Sequence, residues 1–194
     1  EPIGEEILLQ VLKEWERYTP HDRQNHLLLN LVHYQALRTR ELAALEMDHL
    51  DLERGILRVP SCSRSVSRAL LLQGHQLPLL QAHLEVTRPA LGGQRVAMDY
   101  LFSSGGSDVY LMNWLQQLSR QCKAVFAELG HTLKNLEHWR SSRIVQLLER
   151  LPLLEVQALV GHKYASSTER YQLQGIEQLS EALRYHHPLE QKVE

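Results

Sequence analysis

The chain has 194 residues, of which 43% are hydrophobic and 23% charged, a balance that suits one globular domain able to bury its own core. No apolar run approaches the ~20 residues of a membrane span, and the acidic start EPIGEEILLQ fits neither a signal nor a transit peptide. The formal net charge is -2, so any binding to nucleic acid has to come from local clusters of charge.

In chain order, Ile7, Leu8, Val11, Leu12 and Trp15 recur at helical spacing and predict a helix over 5–17. Leu27, Leu28, Leu31, Val32 and Tyr34 predict a second over 23–37. A short third helix carries Leu42 and Leu45, with Thr39 as its cap. The pattern then changes. Residues 55–60 read as a strand ended by Pro60, residues 61–65 as a turn, and residues 69–72 as the return strand of a hairpin. Helices resume over 75–87 and 110–128, separated by the breakers Gly92-Gly93 and Gly105-Gly106, with a short strand at Tyr100–Phe102. Ile144, Leu147, Leu148 and Leu151 form an apolar stripe. Pro152 opens the next helix and Gly161 stops it. Ile176, Leu179 and Leu183 predict a last helix over 176–185. The expected fold class is mainly α with a small antiparallel β-sheet.

Charge is unevenly spread. Arg54, Arg58, Arg64 and Arg68 fall in a stretch without acids, which is either a solvated strand face or an anion-binding one. Cys62 and Cys122 lie far apart, giving neither a disulfide framework nor a zinc knuckle and pointing to a reducing compartment. His131, His138, His186 and His187 lack ligand spacing with any cysteine, so no metal is expected. Asp48 and Asp51 read as helix-end or turn residues, and Glu41 as a structural partner of an arginine. Trp114 and Trp139 read as core or interface. No P-loop or G-x-G-x-x-G is present, and no cofactor is expected.

Four short patterns stand out. Residues 36–42 read A-L-R-T-R-E-L, residues 137–142 E-H-W-R-S-S, residues 160–162 V-G-H and residues 168–171 T-E-R-Y. Each has a bland reading: surface arginines, a histidine capping a helix end, a tyrosine on a helix rim. In their order, Arg38, Arg140, His162, Tyr171, they resemble the tyrosine recombinase or phage integrase family. Its motifs read roughly G-L-R-x-S-E-L, H-x-L-R-H-S, L-G-H and T-x-x-Y. The ending over 181–188 resembles that of Xer-type members, and Ser166 to Tyr171 is similar to integrases of Bacteroidetes mobile elements.

The resemblance implies the catalytic-domain fold over 1–188, a tail over 189–194, and an N-terminal core-binding domain absent from a fragment that begins at Glu1. It implies an enzyme that cuts and rejoins duplex DNA through a covalent 3′-phosphotyrosine, without metal. Tyr171 would be the nucleophile, with Arg38, Arg140 and His162 holding the phosphate. Guanidinium forks suit phosphate oxygens and the charge that builds up in the transition state. DNA contacts would come from Arg38, Arg58, Arg64, Arg68, Arg140, Arg143 and Lys163. Partners would be double-stranded DNA and further copies, a monomer becoming a homotetramer on DNA, in the cytoplasm with the nucleoid and with no membrane.

Two departures qualify this. Glu137 stands where most members have His or Lys, and the hairpin lacks the family's proton-donating lysine, with Arg64 nearest its place. A carboxylate facing the phosphate would repel it, so Glu137 is expected turned aside or paired with Lys134, Arg143 or the pocket arginines. The alternatives are a weakened, recombinase-like DNA-binding accessory or regulatory protein and a helix-turn-helix binder built on the helices 140–151 and 152–161. The apolar second helix opposes the latter.

Overall fold

The computed structural model of the chain describes residues 1–92, 100–102 and 108–173. The element order is α1 (Glu5–Glu14), α2 (Pro20–Tyr34), α3 (Thr39–Ala43), a 3-10 turn (Met47–His49), β1 (Leu50–Asp51), β2 (Ile56–Val59) and β3 (Arg68–Leu71). Then come α4 (Gln76–Ala82), a π-helical turn (His83–Thr87), α5 (Arg88–Gly92), α6 (Asp108–Glu128), α7 (Leu136–Leu148) and α8 (Leu153–Val160). A further helix, α9, is described over 165–173. The breaks expected at Gly93 and Gly105-Gly106 and the helix expected over 176–185 lie outside the described residues.

The organising element is α2. Thr19 caps it in a reciprocal box with Asp22, and Pro20 at its first position supplies a preset φ where no N–H bond is lost. The helix therefore starts at Pro20 rather than at residue 23. Every residue from Gln24 to His33 is buried, because α1, α4, α5 and α7 all pack around it. A helix covered on all sides cannot follow an apolar stripe alone, so its polar members find partners. Asn25 donates to Gln121 Oε1 and accepts from Trp114 Nε1, while Gln35 and Gln76 exchange two amide hydrogen bonds of 2.8 Å.

The sheet is antiparallel, in the order β1-β2-β3. Leu57 pairs with Leu70 and Val59 with Arg68, and Leu57, Val59 and Leu70 turn into the core. The predicted hairpin is thus present, with the added edge strand β1 taking in Asp51, which sequence reasoning assigned to a turn. Tyr100 makes only an isolated bridge to Glu46 instead of a strand. The predicted helix over 75–87 continues past its expected end. Pro89 has no N–H for the carbonyl four residues back, and the chain widens into the π turn just before it.

Two apolar clusters result. The larger joins α1, α2, the sheet, α6 and Trp139. The smaller one joins Ala36 to Ile144, Leu147, Val156 and Val160, with Tyr171 packed against it. Ala36 lies in the left-handed region at φ 50°, an unfavourable conformation for a residue with a Cβ.

Three histidines are held neutral by the core. Burial pushes His26 down to about 4, with Arg17 adding to the effect. Burial likewise lowers His83 to about 4 and His33 to about 3. In all three the folded pKa lies below the ordinary histidine value of about 6.5. The unfolded chain therefore binds more protons once the pH drops below that value. Stability should be full above about pH 6.5 and fall steadily toward pH 4. Thermal melts at about pH 7.5 and about pH 5 check this: the melting temperature should drop clearly at the lower pH, and an unchanged value would contradict it.

Candidate active site

The site is assembled at the junction of the α2–α3 connection, the hairpin, α7, α8 and α9. Arg140, on α7, is 0% exposed. Its Nε donates to Ala36 O at 2.6 Å, and its Nη2 to Val160 O at 3.3 Å and toward His162 Nε2 at 3.4 Å. The left-handed turn at Ala36 is what presents that carbonyl. Burial lowers the pKa of the guanidinium and Glu137 opposes the shift. A guanidinium remains charged under such pressure.

Arg38 is the N-terminal boundary of α3, and its backbone N–H donates to Glu41 Oε2 at 2.9 Å. That places Thr39, expected as the cap, as the first helical residue. A single oxygen of Glu137 bridges the two arginines, 3.1 Å from Arg38 Nη1 and 2.9 Å from Arg140 Nη1. Of the expected partners, Glu137 has the pocket arginines. Its carboxylate occupies an Nη1 donor of each arginine. His138, the next residue, is engaged elsewhere, with the backbone of Lys134 and of Glu1.

His162 is placed by the end of α8. Gly161 turns left-handed at φ 70°. The N–H of Gly161 bonds to Ala158 O and that of His162 to Gln157 O, a Schellman closure. Since Arg140 has only donors, His162 Nε2 is the acceptor, and the Nδ1 proton goes to Thr168 Oγ1 at 2.9 Å. Burial pushes the ring down to about 4, with Arg140, Arg38 and Arg68 adding to the effect, so it is neutral near pH 7. The Tyr171 ring stacks on it at 5.8 Å between centroids and 14° between planes. Thr168, which sequence reasoning quoted in a motif without a role, is the buried link between histidine and tyrosine segments.

Around these groups lies an open pocket of about 850 Å³. Arg38, Arg64, Lys134, Lys163, Arg170 and Tyr171 are among its lining residues. Other expected DNA contacts point elsewhere. Arg68 is turned inward, its side chain only 6% exposed, with a two-pronged pair to Glu41 at 2.8 and 3.1 Å and its Nε on Leu159 O. Arg143 pairs with Glu5. Arg58 is 50% exposed beside Asp51 and does not line the pocket. Burial pushes the Glu41 carboxyl up, but the hydrogen bonds and charge of Arg68 outweigh it and hold it below the usual carboxylate range. Arg68 also fills the space above Gly161, where an added Cβ would lie 2.4 Å from its Nη1. Glu46, Asp48 and His49 cluster closely enough for a cation, but outside the pocket lining.

Comparison with known proteins identifies the family. The model of the phage integrase family matches residues 4–175. Among curated relatives, a tyrosine recombinase XerC of Pelotomaculum thermopropionicum is 30% identical over 181 residues, covering 87% of this chain and 56% of the relative. A tyrosine recombinase XerD of Vibrio vulnificus is 25% identical over 194 residues, covering 96% of this chain and 60% of the relative. The chain therefore spans only about three fifths of the length of these relatives. Among solved structures, the site-specific recombinase XerH, bound to its palindromic difH substrate in a post-cleavage complex, superposes with a TM-score of 0.73. The identity is 21%, with 93% of this chain and 52% of that one covered.

The Glu41–Arg68 pair ties α3 and the hairpin to α8, and it is fully buried on the carboxylate side. Removing one member of such a pair costs about 3–5 kcal/mol because the other charge is left uncompensated. Glu41→Gln is expected to destabilise by that order, read as a lower midpoint in urea unfolding. A change below about 1 kcal/mol would show the pair to be dispensable.

Proposed function

The chain belongs to the phage integrase family, and from that premise we propose that it is a site-specific tyrosine recombinase that cuts and rejoins duplex DNA. The observation that carries the reading is the gathering of Arg38, His162 and Tyr171, distant in sequence, along one pocket, with Arg140 buried behind them against Glu137 and His162. Arg38 and Arg140 grip the non-bridging oxygens of the scissile phosphate, and the buried anchors of Arg140 keep it from reorganising as charge builds up. His162, accepting from Arg140 Nη2 and donating to Thr168, holds that guanidinium in place. The Tyr171 oxygen attacks phosphorus, its proton passes to solvent, and the 3′-phosphotyrosine keeps the bond energy for religation.

DNA is the substrate and partner, a reading supported by the similarity to XerH, a site-specific recombinase bound to its difH substrate. Arg64 and Lys163 lie on the pocket rim toward the approaching backbone. Residues 1–188 act as the catalytic domain and 189–194 as a tail, with an N-terminal core-binding domain completing the grip. The protein is a monomer alone and a homotetramer on DNA, working at the nucleoid in the cytoplasm. Among the described residues no helix is long and apolar enough to cross a membrane.

The test is covalent capture. The natural full chain is incubated with a pool of nicked duplexes of randomised sequence, and adducts are resolved under denaturing conditions. Wild type should yield a protein–DNA adduct and Tyr171→Phe none. DNA retained without any adduct would replace this reading with that of a non-cleaving accessory protein.

Glu137 is the feature that sets this site apart from the usual family pattern. To admit a phosphate, its shared oxygen must leave both arginines, so the resting pocket holds its own competitor. Glu137→His, the residue most members carry there, is expected to speed adduct formation about tenfold, roughly 1.4 kcal/mol of barrier. A fall to background in that variant would instead make Glu137 a required group, acting as the base for Tyr171.

A further inference from the structure

Cleavage by this route leaves a 5′ oxygen that has to be protonated as the P–O bond breaks. The pocket restricts what can do that. Its guanidinium groups hold their protons too tightly to release them near neutral pH. His162 has both ring nitrogens occupied, one by Arg140 and one by Thr168. His138 is likewise occupied on both, by the Lys134 backbone N–H and the Glu1 carbonyl. Among the described lining residues, the groups that remain as proton carriers are the ammonium groups of Lys134 and Lys163 and the phenol of Tyr164, over whose ring Lys163 lies.

Their positions differ. Lys134 belongs to the loop before α7, on the His138 side of the pocket. Lys163 directly follows His162, and the hairpin turn is docked against that very stretch. Ser65 forms an antiparallel bridge with His162, and Val66 N donates to Gly161 O at 3.0 Å. In an antiparallel pair, a step back on one strand meets a step forward on the other. Arg64, next to Ser65 in the turn, and Lys163, next to His162, therefore flank the same bridge, and both line the pocket. Lys163 is exposed and lies over the Tyr164 ring, 5.6 Å from its centroid, a contact that steers the ammonium without burying it.

We propose that Lys163 is the general acid of strand cleavage, delivering its proton from across the Ser65–His162 bridge to the place where the hairpin itself offers only Arg64. The assignment rests on the recombinase reading above. In the step, the Tyr171 oxygen bonds to phosphorus, the bond from phosphorus to the 5′ oxygen breaks, and that oxygen takes a proton from the Lys163 ammonium. The Tyr171 proton leaves to water. Religation runs in reverse, the neutral Lys163 amine taking the proton of the attacking 5′ hydroxyl.

The experiment uses the natural full chain and one nicked duplex captured from the randomised pool, made in two forms. One has the natural 5′ oxygen at the scissile bond, the other a bridging 5′ sulfur. A thiolate, with a thiol pKa near 8.5, departs without protonation. On the oxygen substrate Lys163→Ala should cleave about 10²-fold more slowly, and the sulfur substrate should restore it to within about tenfold of wild type. Lys163→Arg, which keeps the charge but not the releasable proton, should show the same loss and the same rescue. Lys134→Ala should show no rescue specific to sulfur. Equal losses on both substrates would reduce Lys163 to a phosphate contact and overturn the proposal. So would an undiminished Lys163→Ala rate, or the rescue pattern appearing in Lys134→Ala. Failure of wild type on both substrates would remove the recombinase reading itself, and this assignment with it.

Discussion

A guanidinium with no exposure to solvent must have its donors matched from within, and the fold around Arg140 is organised by that requirement. Its partners are two carbonyls, a carboxylate and an imidazole, brought from the end of α2, from α7 itself and from the end of α8. Each carbonyl is available only because the chain there has left regular helix. Ala36 has turned left-handed after α2, and Val160 is the last residue of α8 before the left-handed Gly161. The cost of an unfavourable φ at Ala36, about 1–2 kcal/mol, is smaller than that of leaving a buried charged donor without its acceptor. The packing of Ile144, Val156 and Val160 around Ala36 holds the arrangement rigid.

A second buried arginine does for the opposite wall what Arg140 does for the floor. Arg68 leaves the sheet edge, pairs with Glu41 and reaches Leu159 O. The hairpin, α3 and the end of α8 are thereby locked to one another. Its guanidinium occupies the volume that any side chain at residue 161 would need. Arg38 and Arg140 are thus set upon a frame whose own charges, Arg68 and Glu41, are paired with each other, so the frame does not compete for an anion in the pocket.

Much of this was legible from residue order. Helical periodicity gave most of the helices, the run 55–72 read as a hairpin, and the four motifs picked out Arg38, Arg140, His162 and Tyr171. The pairing of Glu137 with the pocket arginines was within reach of electrostatics alone, because a carboxylate bare beside a phosphate is untenable. Glu41 read as an arginine's partner, but sequence spacing did not say which arginine. Arg68 shares a face of β3 with the buried Leu70, two positions on, so the period of two puts it on the core side, but what pairs its charge there is decided only by the docking of α3 and α8. Thr168 had no legible role because its partner, His162, is defined by a turn. The left-handed Ala36 was hidden as well, since alanine advertises a helix. The π turn before Pro89 arises from a missing N–H that shifts hydrogen bonding locally, which periodicity does not register.

The remote origin of the contacts of Arg140 bears on how the molecule comes into being. Its bond to Ala36 spans 104 positions of chain, and that to Val160 spans 20. Loop closure over such separations comes late, after local helices have formed. Until α2, α7 and α8 dock, Arg140 and Arg38 are merely solvated cations, and His162 has neither its acceptor role nor its Thr168 partner. A nascent or partly folded chain therefore presents basic residues but no assembled pocket. Whatever chemistry the pocket performs is switched on by the last stage of assembly, and a half-folded molecule carries none of it.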